Sequence, residues 1–75
     1  MAEEVCADVP GTVWKILVEV GDAVTDDDTL AILDSMKMEI PVKSEIGGFV
    51  TRIVVREGDN VQDGDLIAVV EATLN

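Results

Sequence analysis

The chain has 75 residues, 48% of them hydrophobic, and its 16 acidic against 5 basic residues give a formal net charge of -11. This length allows one small domain, residues 1–75, and leaves no room for a deep catalytic cleft. The acidity disfavours nucleic acid and membrane surfaces as partners. The single cysteine, Cys6, cannot form an internal disulfide, and no apolar run is long enough to span a bilayer. We therefore expect a soluble cytoplasmic protein that is a monomer when free.

The sequence of the first half of the chain predicts short strands separated by turns. A leading segment over 3–9 precedes a strand rich in β-branched residues over 13–20. Gly21-Asp22 marks a turn, and after an acidic stretch a second apolar strand covers 30–33. The aromatic residues, which include Phe49 in the second half, are interpreted as core or sheet-face residues and not as ligand platforms. Alternation along the longer strand puts four side chains on one face: Trp14, Ile16, Val18 and Val20.

The second half repeats the first at a constant offset of 37 positions, which superimposes Gly11 on Gly48 and Gly21 on Gly58 without a gap. The repeat indicates two copies of one unit, 1–37 and 38–74, packed about a pseudo-twofold axis. No stretch has apolar residues at helical spacing, so we predict an all-β protein with about eight strands in two facing sheets. Pro41 predicts an edge position for its strand. The axis also predicts that the termini lie opposite the joint between the copies.

Lys37 lies at that joint, in a two-residue connection, Met36-Lys37, between a strand that ends at Ser35 and a strand that begins at Met38. Such hairpins favour Asn-Gly or Asp-Gly, because their turns need a positive φ that is costly for a side chain with a Cβ. We interpret this conflict as the sign of a functional demand, namely presentation of the Lys37 amine on a rigid support. Without this context Lys37 would be an ordinary solvated turn lysine.

The run Asp34-Ser35-Met36-Lys37-Met38-Glu39 resembles the attachment signal of the biotinyl/lipoyl attachment domain family. The glycines of both halves also fall where this family places its turns, so the resemblance covers nearly the whole chain. It implies a flattened barrel or sandwich hybrid of two four-stranded antiparallel sheets, in a stand-alone form that lacks the thumb insertion. Lipoyl domains usually have Asp before the lysine and Ala after it, whereas this chain has Met36 and Met38, so the comparison implies biotin.

Two positions depart from the family's pattern. Asp27 stands where the second copy has Gly64 and the family often has Gly, but Asp tolerates left-handed backbone geometry, so we expect the turn to survive. Asp34-Ser35 replaces the commoner Glu-Ala, which is a conservative change beside the lysine.

The resemblance implies a biotin carboxyl carrier. A biotin ligase would attach biotin covalently to Lys37, and the biotinyl arm would carry carboxyl from a biotin carboxylase to the carboxyltransferase of an acyl-CoA carboxylase. Met36 and Met38 would be flanking recognition contacts. A lipoyl-type carrier and an unmodified interaction module of the same fold remain alternatives. The chain has no histidine, and its acidic run at 26–28 lacks the spacing of a calcium loop, so we predict neither catalytic residues nor a metal site.

Overall fold

The computed structural model describes residues 2–72 and shows eight β-strands in that range. Met1 and residues 73–75, which include the start of the first predicted copy and the end of the second, lie outside the described residues. None of the described residues forms a helix long and apolar enough to cross a membrane. The strands are β1 (Ala2–Cys6), β2 (Gly11–Ile16), β3 (Ala23–Val24), β4 (Thr29–Ser35), β5 (Met38–Lys43), β6 (Gly48–Ile53), β7 (Asn60–Val61) and β8 (Leu66–Ala72).

The strands form two four-stranded antiparallel sheets, in the orders β1-β8-β6-β3 and β5-β4-β2-β7. This arrangement confirms the predicted all-β sandwich. The strand that contains Pro41, β5, lies at an edge, as its sequence predicts, with Pro41 opposite Ile32 of β4. An edge accommodates proline because the ladder there does not require the N–H that proline lacks.

The two halves of the chain are intertwined. Each sheet takes two strands from each half, and adding the offset to β1, β2, β3 and β4 gives β5, β6, β7 and β8. Hydrogen bonds repeat in the same way: the Gly21 N–H donates to the Val50 carbonyl at 2.7 Å, and the Gly58 N–H donates to the Val13 carbonyl at 2.7 Å. Because each sheet needs strands from both halves, neither half could complete a sheet by itself.

Aspartate side chains and residues with positive φ shape the turns. The carboxylates of Asp22 and Asp59 each accept a hydrogen bond from the backbone N–H three residues earlier, at 2.8 and 2.9 Å. Asp27 has φ 77 and its counterpart Gly64 has φ 92. The turn with Asp in place of Gly therefore keeps its geometry, as predicted, since Asp visits the left-handed region more readily than most residues with a Cβ.

The core lies between the sheets and is aliphatic. Burying a side chain of this size contributes about 1.5–3 kcal/mol relative to leaving it exposed. A further buried residue, Ser44, is satisfied, because its hydroxyl donates to the Ile46 carbonyl at 2.6 Å. The largest fully buried apolar side chains are Leu30, Leu33, Ile67, Val13, Val50 and Val70.

The face predicted for the segment over 13–20 is wrong in part. Strand β2 ends at Ile16, and its pairing with β4 shifts between Val13 and Lys15, which makes Trp14 the extra residue of a β-bulge. Because the extra residue interrupts the alternation, Trp14 does not share a face with Ile16: Val13 is buried and Ile16 packs partly against the core, whereas Trp14 is 45% exposed. Val20 is 61% exposed as well, and only Ile16 and Val18 pack partly against the core.

Candidate functional site

The hairpin of β4 and β5 carries the candidate lysine at its tip. Ser35 pairs with Met38, and Met36-Lys37 forms the two-residue connection that the sequence predicts. Both connecting residues have positive φ, 51 for Met36 and 66 for Lys37. Positive φ at both central residues is the requirement of a type I′ turn, whose right-handed twist matches that of the flanking strands. Two side chains with a Cβ therefore occupy a turn that suits Asn and Gly better.

Contacts with the loop before β2 hold this tip. The Ser35 hydroxyl donates a hydrogen bond to the Pro10 carbonyl at 2.8 Å. Beside it, Gly11 lies so close to β4 that a Cβ there would be 2.7 Å from the Asp34 backbone oxygen. The tip is therefore attached at its base both by the β4–β5 ladder and by the adjacent loop, as a presenting platform requires.

The rest of the hairpin leads away from the tip. Thr29 pairs with Lys43 at the opposite end of the ladder. Just past that end, the Glu45 N–H donates to the Glu3 carboxylate at 3.0 Å, which places the start of β1 far from Lys37 along the hairpin. The described part of the chain thus has β1 beginning and β8 ending on the side away from Lys37, since Ala2 pairs with Glu71.

The three lysines have different surroundings. Lys43 lies 3.9 Å from an Asp27 carboxylate oxygen, and the Lys15 ammonium lies 5.7 Å from the centre of the Trp14 ring. Lys37 is exposed and forms neither kind of contact with any residue in 2–72. Its amine is therefore open to a reagent or enzyme that approaches the tip.

Two surface hollows flank the tip, one on each side. Met36, 93% exposed, borders a hollow that also contains Pro10 and Val61. Met38, 59% exposed, borders the other. We call the second one the Trp14 hollow; it has a volume of about 330 Å³ and is lined by Trp14, Asp34, Lys37, Met38 and Glu39. Neither methionine belongs to the core, so the structure shows the exposure that their place beside a turn predicts.

Two carboxylates of the Trp14 hollow face each other across the hairpin. Asp34 and Glu39 are directly paired on β4 and β5, and both are exposed. Like charges at directly opposed positions destabilise a sheet. Both residues belong to the sequence run 34–39, but the sequence did not show that Trp14 lines the same hollow. That position of Trp14 follows from the bulge in β2, and a bulge leaves no readable mark in the alternation of the sequence.

Cys6 and the acidic run at 26–28 have the surroundings of ordinary strand and turn residues. Cys6 is half-buried in β1. In the acidic run, the Asp28 carboxylate accepts the Thr25 N–H at 2.9 Å, as an ordinary turn residue does. Across residues 2–72, no group of three or more His, Cys, Asp or Glu side chains is arranged to hold a metal ion.

Comparison with known proteins defines the class. Residues 3–70 match the family model described as "Biotin-requiring enzyme", which covers both biotinyl and lipoyl domains. The chain therefore belongs to the biotinyl/lipoyl attachment domain family, and the biotinyl carrier type expected from the sequence is confirmed.

Individual relatives agree with this membership. The chain is 50% identical over 42 residues to the "Biotinylated protein TB7.3 homolog" of Mycolicibacterium smegmatis, a match that covers 56% of this chain and 59% of the relative. The crystal structure of Kluyveromyces lactis urea carboxylase matches 95% of this chain, with a TM-score of 0.90 and 37% identity, over 6% of its own length. A single-chain, multi-domain long-chain acyl-CoA carboxylase matches 96% of this chain, with a TM-score of 0.89 and 25% identity, over 7% of its length.

Proposed function

We propose that the whole chain is one biotinyl attachment domain and that Lys37 is the residue to which biotin is covalently attached. One combined observation carries this proposal. The Lys37 amine is exposed and has no ionic partner among residues 2–72, and it lies in a turn whose two central residues both have positive φ. A group that must enter the active sites of other proteins needs such an open and elevated position. Family membership supports biotin as the attached group.

The residues at the tip fit this group. Attachment requires a primary amine that can reach an activated carboxyl group inside a ligase, and Lys37 offers one at the end of a narrow hairpin. Lys37 would hold biotin through an amide bond between its Nζ and the biotin carboxyl carbon; AMP would leave from the carboxyl group that the ligase has activated, and the nitrogen would give its proton to the ligase or to solvent. The chain has no histidine to serve as a base, so its own contribution is presentation.

Bound biotin supplies a ring nitrogen that can carry a carboxyl group between active sites. The chain's own residues hold the attachment point on a rigid support and keep the tip narrow. Tethering raises the effective concentration of the carried group at each partner site without any new contact. The exposed thioethers of Met36 and Met38 are flexible apolar contacts of the kind that repack against several partners, and we propose that they are read by the ligase and the carboxylase.

The proposed partners are a biotin ligase, a biotin carboxylase and a carboxyltransferase, with this chain as a carrier and not an enzyme. The urea and acyl-CoA carboxylases that contain a similar domain support this assignment. We propose an acyl-CoA as the acceptor, a cytoplasmic location because ligation consumes ATP, and a monomer as the uncomplexed form, since the net charge of -11 makes copies repel each other.

Intact mass measurement tests the attachment. The protein is incubated with a biotin ligase, ATP and biotin, beside three variants that each replace one lysine: Lys15→Arg, Lys37→Arg and Lys43→Arg. Each variant keeps its positive charge but loses the acylatable amine. We expect one biotinyl group on the unchanged protein and on the first and third variants, and none on Lys37→Arg.

Other results would overturn specific parts of the proposal. A biotinyl group retained in Lys37→Arg and lost in another variant would place the attachment elsewhere. Parallel incubation with a lipoate ligase and lipoate tests the cofactor, since exclusive lipoylation would make this a lipoyl-type carrier. Complete absence of modification by both enzymes would leave an interaction module.

A further inference from the structure

The Trp14 hollow has a composition that the carrier role does not explain. A presenting tip needs Lys37, but it does not need a half-exposed indole beside it. Trp14 remains 45% exposed even though the Lys15 ammonium lies 5.7 Å from its ring centre. The hollow is lined by the indole, the thioether of Met38 and two paired carboxylates, and Lys37 itself forms part of its edge.

We propose that the Trp14 hollow is a resting site for the biotinyl group when it is attached to Lys37 and not engaged by a partner. This inference rests on the proposed function, because the occupant is the group that Lys37 would carry. The argument for this occupant is continuity: the lysine lines the hollow, so any group attached to its amine starts at the edge and is kept at high local concentration there.

The chemistry of the hollow matches the parts of biotin. The fused rings of biotin are apolar on one side and contain a thioether sulfur, and such a sulfur makes favourable contacts with an aromatic ring. The ureido group has two N–H donors, and ionised carboxylates such as Asp34 and Glu39 are pure acceptors. The biotin carboxyl group is consumed in the amide bond, so the attached group brings no negative charge against the two acidic side chains. A volume of about 330 Å³ is sufficient for a partly enclosed small group.

The hollow on the other side of the tip is a poorer candidate. It is bordered by Met36 and not by Lys37, and it contains neither an aromatic ring nor a pair of carboxylates. The like-charge pair of Asp34 and Glu39 also supports the choice, because the pair disfavours the sheet yet gives two acceptors beside Lys37. Resting in the Trp14 hollow would cover apolar rings that would otherwise be exposed to water.

The protein contains one tryptophan and no tyrosine, so indole fluorescence reports on Trp14 alone. The experiment compares the unmodified protein with protein whose mass shows complete biotinylation. We expect the modified protein to show a changed emission maximum and slower quenching by acrylamide. Identical emission and quenching in the two forms would overturn the proposal. If the mass shows that no biotin attaches, the carrier function fails first and the resting site fails with it, so the two failures are distinguished.

Capture by streptavidin gives a second readout, because a docked biotinyl group must leave the hollow before it can be captured. All samples are fully biotinylated. If the biotinyl group occupies the hollow for half of the time, streptavidin should capture Trp14→Ala about twofold faster than the unchanged protein. Trp14→Phe keeps an aromatic ring, so its capture should be slower than that of Trp14→Ala. Phe49→Ala is the matched control, since Phe49 is similarly exposed but lies on the other sheet, paired with Ala23. Equal capture rates in all four proteins would overturn the resting site, and slower ligation of Trp14→Ala with equal capture would make Trp14 a ligase contact instead.

Discussion

The turn at Met36-Lys37 should be locally destabilising, and replacing Met36 by Asn should increase the stability of the protein. Met36 has φ 51, in the left-handed region, where a residue with a Cβ is disfavoured by roughly 1–2 kcal/mol and Asn by less. The side chain is 93% exposed, so its removal forfeits almost no buried area. We expect a gain of about 0.5–1 kcal/mol in the free energy of unfolding, and a rise in Tm of about 4–8 °C for each kcal/mol in a domain of this size.

Urea unfolding of the unmodified protein measures this gain, with Met38→Asn as the matched control. Met38 is the first residue of β5 and has no positive φ, and Asn is disfavoured in strands. The same substitution two residues away should therefore lower the stability by about 0.5 kcal/mol. Equal or lower stability of Met36→Asn relative to the unchanged protein would refute the reasoning that links positive φ to local cost.

The same variant separates stability from recognition. Met36→Asn keeps Lys37 in place, so its rate of biotinylation shows what the Met36 side chain contributes. We expect a more stable protein that is ligated more slowly, which is the compromise expected where a local rule of folding gives way to function. A more stable protein with an unchanged ligation rate would remove the proposed role of Met36 in recognition.

Two further predictions concern the scaffold. Gly48→Ala should lose about 3 kcal/mol, since its Cβ would clash with the backbone oxygen of Glu71, while Gly47→Ala, with no neighbouring atom nearer than 3.7 Å, should change stability by less than about 0.5 kcal/mol. Equal losses in thermal unfolding would contradict this close approach. Asp22→Ala and Asp59→Ala should each lose about 1 kcal/mol, because each removes an acceptor for a turn N–H. A loss in one variant and none in the other, measured by urea unfolding, would show that the repeated turns are not energetically equivalent.

The sequence predicted the fold because each half is punctuated at the same places. Gly21 and Gly58 both have positive φ, 98 and 97, and their offset alone indicated two copies of one unit. The hairpin at Lys37 could be predicted as well, since the apolar strands on either side leave two residues between them. These features depend on turn chemistry and on local spacing, both of which can be read from residues that are close together in the sequence.

The surroundings of the tip could not be predicted in the same way. Alternation assigns faces only while a ladder is uninterrupted, and the bulge at Trp14 moved this side chain out of its expected place. Which loop packs against the hairpin was also hidden, because the hydrogen bond from Ser35 to Pro10 joins residues 25 positions apart. Contacts of this kind follow from the three-dimensional pairing of strands and not from any local pattern.

The site arises where the symmetry of the fold is broken. The pairing of Asp34 with Glu39 in the β4–β5 ladder is matched by the pairing of Glu71 with Ala2 in the β8–β1 ladder, at the offset of the repeat. The two ladders are equivalent, but the first is closed by Met36-Lys37, whereas β8 and β1 are far apart in sequence. A duplicated unit thus provides two similar edges and only one tight turn between them. The duplication accounts for the rigid support, and the single connection accounts for the presence of one lysine-bearing tip among the described residues.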